Sequence, residues 1–303
     1  MSATLTPAAP RASTPAGLAA FSGIVLIWGS TFLVISIGND SLPPVWAATL
    51  RLAAATVILS VLAFVLRQPW PRGRALEAAL WFGVVDFGVS LPLLYWGELR
   101  VPSSIAAIFY ATIPLTTALL ARALGLERIR PLGLVGAVIG LGGVTMLFAT
   151  ELRGRMPLLP LSAVLLGALT AALAGVLLKR GTPASPITTN AVAHAAGVPF
   201  CLVVSVLLGE RHALPATASG WFSLTYLTLV GSIGAFVLFA WLVQRWRVTA
   251  TSFLAVLTPV LGAVLGATVR HEPLGTTTIV GAVVVVSGVV VANLADRALA
   301  RRS

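Results

Sequence analysis

Ten apolar runs of about 20 residues, set off by Pro, Gly and charge, divide the chain at 18–38, 43–66, 76–97, 101–122, 131–149, 157–178, 187–208, 219–243, 248–269 and 274–295. A helix of that length crosses the ~30 Å hydrocarbon core of a bilayer. Of the 303 residues, 58% are hydrophobic and 10% are charged, whereas a soluble domain carries about 25% charged residues. Too few polar side chains exist to coat a water-facing surface, and the connections are too short to hold a soluble domain. The expected fold is an all-α integral membrane protein with ten transmembrane helices.

The net charge of +11 comes from 20 Lys+Arg against 9 Asp+Glu. The bases sit in short loops with no aromatic interleaving, which excludes a nucleic-acid surface and sets membrane orientation instead. Counted on alternate sides, fourteen bases fall on one face, among them Arg67, Arg72, Arg74, Arg122, Arg128, Arg130, Lys179 and Arg180. Five fall on the other (Arg100, Arg153, Arg155, Arg211 and Arg270), and Arg51 lies inside a span. Positive charge stays inside, so both termini are expected in the cytoplasm. Residues 1–16 read as a disordered tail rather than a cleavable signal peptide, and 297–303 as a second tail. A single cysteine, Cys201, excludes an intramolecular disulfide, a zinc knuckle and an iron–sulfur site.

An offset of 145 residues pairs Pro114 with Pro259, Glu127 with Glu272, and Val135–Val138 with Val280–Val283. Both Pro-to-Glu spacings are 13 residues, and both pairs fall at the same place in spans four and nine. The chain therefore reads as two five-helix halves, 17–150 and 151–296. Five is odd, so the second half enters the membrane inverted, the plan of many secondary transporters whose substrate site lies between the halves.

Polar groups within spans mark the candidate site. Asp86 is the carboxylate deep in a span and Arg51 the guanidinium. By helical rise they lie ~15 Å and ~18 Å from the cytoplasmic edge, close enough in depth to meet. Asp86 suits an amine anchor or proton acceptor and Arg51 a carboxylate clamp, against the alternative of a structural ion pair. Asn190 and His194 place polar groups in span seven. Trp28, Tyr95, Tyr110, Tyr226 and Trp241 could form an aromatic wall, while Trp46, Trp70, Trp81 and Trp221 sit near span ends as interface anchors. Pro114 and Pro259 would kink spans four and nine, freeing the carbonyls of Tyr110 and Ala255 and acting as gates. Gly136-x₃-Gly140 and Gly262-x₃-Gly266 offer faces for close packing within a monomer rather than a dimer.

With Trp28-Gly29-Ser30-Thr31-Phe32 in span one, Arg51, Tyr95, the Ser103–Pro114 stretch, Glu127, Gly136 and Gly143, then Pro259, Glu272, Gly281 and Gly288, the chain resembles the drug/metabolite transporter superfamily. The resemblance is to EamA-type ten-helix exporters, most of all the bacterial amino-acid exporters of the YddG type. It implies proton-driven or facilitated export of small metabolites through the inner membrane. Span six, Ala168 to Gly175, departs from the pattern in lacking a tryptophan motif to match Trp28.

Rival classes lack their signatures. The three histidines (His194, His212, His271) stand on separate segments, which excludes a His-Glu-x-x-His metalloprotease, and no Walker motif is present. No carbonyl filter or ring of charges suggests a channel. No cofactor or metal is expected. The partners expected are a small-molecule substrate, the lipid bilayer and, as a candidate coupling ion, the proton. Amino acids with apolar or aromatic side chains are the preferred cargo, with nucleosides or amines as alternatives.

Overall fold

The computed structural model describes residues 14–38, 41–149, 157–269 and 275–300, all helix, turn or loop. Glu272 and the bases Arg153, Arg155 and Arg270 lie outside the described residues.

In chain order the helices are α1 (Pro15–Gly38), α2 (Pro44–Val65), α3 (Arg74–Phe82), α4 (Leu91–Glu98), α5 (Ser103–Tyr110), α6 (Ile113–Ala123), α7 (Pro131–Leu147) and α8 (Leu158–Arg180). They continue as α9 (Pro186–Leu207), α10 (Ala218–Tyr226), α11 (Ala235–Arg245), α12 (Val248–Thr251), α13 (Leu254–Val269) and α14 (Thr276–Ala300). Two π-helical segments, π1 (Gly83–Ser90) and π2 (Leu227–Gly234), join α3 to α4 and α10 to α11. Proline opens α2, α6, α7 and α9, where the missing N–H would have had no helical partner. Thr217 caps α10 by accepting from Gly220 N at 3.1 Å. Gly125 and Gly209, with φ of 70° and 67°, turn the chain after α6 and α9, a conformation open to glycine at little cost.

Seven stretches, Pro44–Val65, Arg74–Glu98, Ser104–Ala123, Leu158–Arg180, Pro186–Leu207, Ala218–Arg245 and Val248–Leu265, are long and apolar enough to cross a membrane. Pro15–Thr31, Pro131–Leu147 and Thr276–Ala292 are shorter apolar helices. Phe64, Leu158 and Leu207 stand about four-fifths exposed on the outside, as lipid-facing side chains can.

Four of the spans depart from a regular helix, among them four and nine, where the prolines were expected to kink the chain. Spans three and eight widen into π1 and π2, and spans four and nine break at Ala111–Thr112 and Ser252–Phe253. The two prolines are not locally equivalent: Pro114 opens α6 just after its break, whereas Pro259 lies inside α13, beyond its break. The reason is that a proline fits the first turn without loss, so the chain interrupts ahead of Pro114 instead of kinking around it.

The most extensive packing joins α7 to α14, followed by α2 to α9. Glycine makes the first possible. A β-carbon on Gly136 would come within 2.5 Å of Gly288 O, and one on Gly143 within 2.8 Å of Gly281 O. The backbones thus touch directly, with van der Waals contact taking the place of the hydrophobic effect that lipid cannot supply. Gly29 likewise lets α1 approach Leu261 of α13. Gly262, by contrast, faces no atom within 4 Å. Gly136→Val should therefore destabilise the fold by about 1–3 kcal/mol, read as a lowered unfolding temperature in detergent, whereas Gly262→Ala should leave it unchanged or slightly raised.

Candidate functional site

A cavity of about 230 Å³ opens between α1, α2, α3, π1, α4, α5, α6, α8, α11, α12 and α13. Of the residues singled out in the sequence, Trp28, Arg51, Asp86, Tyr95, Tyr110 and Pro259 line it. Asn190, His194, Tyr226, Trp241 and Pro114 are not on its wall.

Arg51 projects from the middle of α2 and is buried. Its Nε donates to Ser232 Oγ of π2 at 3.1 Å and its Nη1 to Tyr95 OH of α4 at 3.1 Å. Both partners are neutral, so they orient the guanidinium while leaving its charge in place. Asp86, on π1, is partly buried and has no hydrogen-bond or ion-pair partner among the described residues. Arg51 and Asp86 therefore line one cavity without an N···O contact within 4.0 Å. The expected meeting of the two becomes a shared wall, with Ser232 and Tyr95 taking two of the five guanidinium N–H donors.

Tyr110 is fixed through Ser90, the last residue of π1. Ser90 Oγ donates to Gly167 O at 2.8 Å, which leaves Tyr110 OH to donate to Ser90 Oγ at 3.2 Å. Opposite lies an aromatic wall. Trp28 packs on Phe236 and Phe239 with centroids 5.3 and 5.6 Å away, and Phe82 stacks on Phe239 at 6.0 Å. Such spacings fall in the range of favourable ring contacts. Thr117, Thr251 and Thr258 add hydroxyls to the lining, though Thr251 and Thr258 spend their protons on Val248 O and Leu254 O.

The remaining sequence candidates have other surroundings. Tyr226 OH donates to Ser30 Oγ at 2.8 Å, the serine hydroxyl being committed to Ile27 O. Trp241 carries the Arg245 guanidinium 4.2 Å above its ring. Asn190 Nδ2 donates to Pro186 O and Phe236 O, tying α9 to α11. His194 is fully buried, its ring 4.4 Å from that of Phe87, with Nδ1 donating to Asn190 O at 2.8 Å and Nε2 without a partner. Sequence reasoning missed Ser232, Phe236 and Phe239. The Gly231-Ser232-Ile233-Gly234 stretch was the available signal, a small polar residue among glycines inside an apolar run.

The EamA-like transporter family matches the chain twice, at residues 15–149 and 158–294. An uncharacterized inner membrane transporter, YedA of Escherichia coli K12, is 31% identical over 84% of this chain and 83% of its own. A probable terminal-alkyne amino-acid exporter of Streptantibioticus cattleyicolor is 26% identical over 92% and 93%. A probable amino-acid metabolite efflux pump of E. coli K12 is 25% identical over 88% and 90%. A solved crystal structure 20% identical superimposes with a TM-score of 0.76 over 93% of this chain and 98% of that one, a likeness of fold alone. These names point to transport rather than catalysis.

The His194 environment yields a direct test. Its Nε2 meets no partner and its Nδ1 bond is to a carbonyl within the same helix, so His194→Leu, close in volume, should keep the protein folded. Thermal unfolding in detergent should shift by no more than about 1 kcal/mol equivalent. A collapse of the folded fraction would show that the imidazole holds α9 in place.

Proposed function

The chain belongs to the EamA-like transporter family and is a multi-pass membrane transporter, and on that premise we propose that it exports amino acids with apolar or aromatic side chains by alternating access. The observation that carries the substrate reading is the cavity wall. The Arg51 cation and the Asp86 carboxylate, neither neutralised by the other, face the same space as Trp28, Phe236 and Phe239, and Glu98 adds a second carboxylate to the lining. A zwitterion would place its carboxylate on the remaining Arg51 nitrogen and its ammonium on Asp86. Its side chain would lie against the aromatic wall. Two relatives at 25–26% identity bear the names of amino-acid exporters, which supports the class of substrate.

The reading includes ten spans in two inverted halves. Joining α3 with α4, α5 with α6, α10 with α11 and α12 with α13 gives ten rods. The family matches once in each half. The π segments begin at Gly83 and Leu227, an offset of 144 residues against the 145 of the prolines. All three facts support duplication. Two related conformations, open to opposite faces, then follow from one sequence laid in two orientations. The positive-inside bias favours cytoplasmic termini in a bacterial-type inner membrane, and internal use of the α7 and α14 glycines favours a monomer. Coupling to protons is part of the proposal only through Asp86.

Counterflow in proteoliposomes tests the substrate class. Arg51→Gln should reduce amino-acid counterflow about tenfold more than counterflow of amines that lack a carboxylate, the worth of one charge-assisted hydrogen bond. Asp86→Asn should penalise zwitterions and amines alike. Normal amino-acid counterflow in both variants would overturn the zwitterion reading, and amine counterflow in the native protein without amino-acid counterflow would replace it with amine export.

Topology is tested separately, in a Cys201→Ala background. Cysteines at Thr182 and Ala216, in the loops that flank α9, should react with impermeant reagents from opposite faces, Thr182 from the cytoplasm. Labelling from one face would remove the inverted arrangement.

A further inference from the structure

Glu127 was marked in the sequence by its repeat spacing and its place in the family pattern, with no role assigned, yet its carboxylate is among the most heavily engaged in the described structure. It follows the C-terminus of α6, held by its own N–H on Ala121 O at 3.2 Å. Its Oε1 accepts from Val248 N at 2.6 Å and its Oε2 from Thr249 Oγ1 at 2.6 Å, while Arg247 Nη2 lies 3.2 Å from Oε2. Glu127 thus caps α12, where a carboxylate meets the positive end of the backbone dipoles. Beside it, Lys179 Nζ donates to Val243 O and Trp246 O, each at 2.7 Å. That places a cation on the carbonyl end of α11. The whole α11–α12 junction is pinned by charges of the matching sign.

The position of the junction gives these bonds a consequence. Val248, Thr251 and Ser252 of the α12 segment line the cavity, and so do Ile113 and Thr117 of α6. Glu127 therefore joins two walls of the cavity at one end. The α12 helix has four residues and is broken from α13 at Ser252–Phe253, so the Glu127 carboxylate, together with the Arg247 Nη2 bond to Arg128 O at 2.9 Å, holds what amounts to a one-turn pin.

We infer that Glu127 is a positioning residue of transport, the clasp that closes the cavity toward the face carrying Arg128 and Arg180. This inference rests on the cavity being the transport path. Opening to that face requires α12 to leave α6, which breaks the Glu127 bonds. A carboxylate at the opposite end supplies the comparison. Glu210 accepts from Val45 N at 3.1 Å, Trp46 N at 2.7 Å and Ser205 Oγ at 2.7 Å, capping α2. The far end of α2 meets the start of α9 through the Ser185–Gln68 bond, so Glu210 and Glu127 lie at opposite ends of the bundle. Unlike α12, α2 is locked along its length by a buried stripe from Val45 to Ala63. Its cap fixes a scaffold and closes nothing.

The experiment is side-specific cysteine labelling in oriented membrane vesicles, with Cys201→Ala and a reporter cysteine at Thr117. Glu127→Gln should raise the labelling rate from the Arg128 face about tenfold, since it discharges a set of charge-assisted bonds. Labelling from the other face should not rise. Glu210→Gln should lower the unfolding temperature and leave both rates unchanged. If Glu127→Gln does not fold, Thr249→Ala removes one of the bonds and should give a smaller increase on the same face. No change with either variant, or an equal rise from both faces, overturns the clasp. Labelling needs no substrate, so a shift in accessibility without counterflow of any cargo would reject the transport reading and not the contact. Counterflow with unaltered labelling would reject the clasp alone.

Discussion

In hydrocarbon a backbone N–H or C=O has no water to turn to, and every departure from α-helix must be satisfied within the chain. That constraint decides where this protein can be irregular. Each interruption borders the cavity or one of its walls: π1 carries Asp86 and Ser90, π2 carries Ser232, and the breaks at Ala111–Thr112 and Ser252–Phe253 flank its lining. The groups left over are met one by one. Cys201 Sγ donates to Phe87 O at 3.0 Å, Thr112 Oγ1 to Phe109 O at 2.6 Å and Ser252 Oγ to Thr249 O at 2.7 Å. Cys201 is thereby a hydrogen-bond donor to π1. Elsewhere α7 and α14 run without interruption, backbone against backbone at their glycines.

The same constraint sets the limit of what the amino-acid order discloses. The apolar runs locate the spans because length and hydropathy need only a count. Arg51, Asp86, Tyr95 and Trp28 were recognisable because charge or a polar aromatic inside a span is costly without a role. Phe236 and Phe239 were not, because an apolar ring inside an apolar run carries no such cost and so no signal. Tyr226, ahead of π2, bonds Ser30 and does not reach the cavity. His194 and Asn190 stayed ambiguous for another reason. Their donors go to α9's own carbonyls and to Phe236 O, while Asn190 Oδ1 and His194 Nε2 stay without a partner, a choice that depends on which helix lies alongside.

Pro114 and Pro259 show that repeat spacing transmits position but not local shape. Both keep their distance to a following glutamate, yet one stands in a first turn and the other inside a helix. Only Pro259 of the two borders the cavity.

The separation of Arg51 from Asp86 has an energetic logic of its own. A tight ion pair in a low-dielectric interior satisfies itself, and removing one partner from it costs several kcal/mol. A ligand would have to supply that energy before gaining anything. Ser232 and Tyr95 avoid the difficulty, since two neutral oxygens fix the direction of the guanidinium and leave its charge uncompensated. The strongest partner such a group can meet is then an anion presented from the cavity. On the proposed function Asp86, which has no partner among the described residues, would be matched by a cation. The Arg51 guanidinium oriented by neutral hydrogen bonds and Asp86 on the same cavity would then favour one molecule that carries both signs over a molecule that carries either.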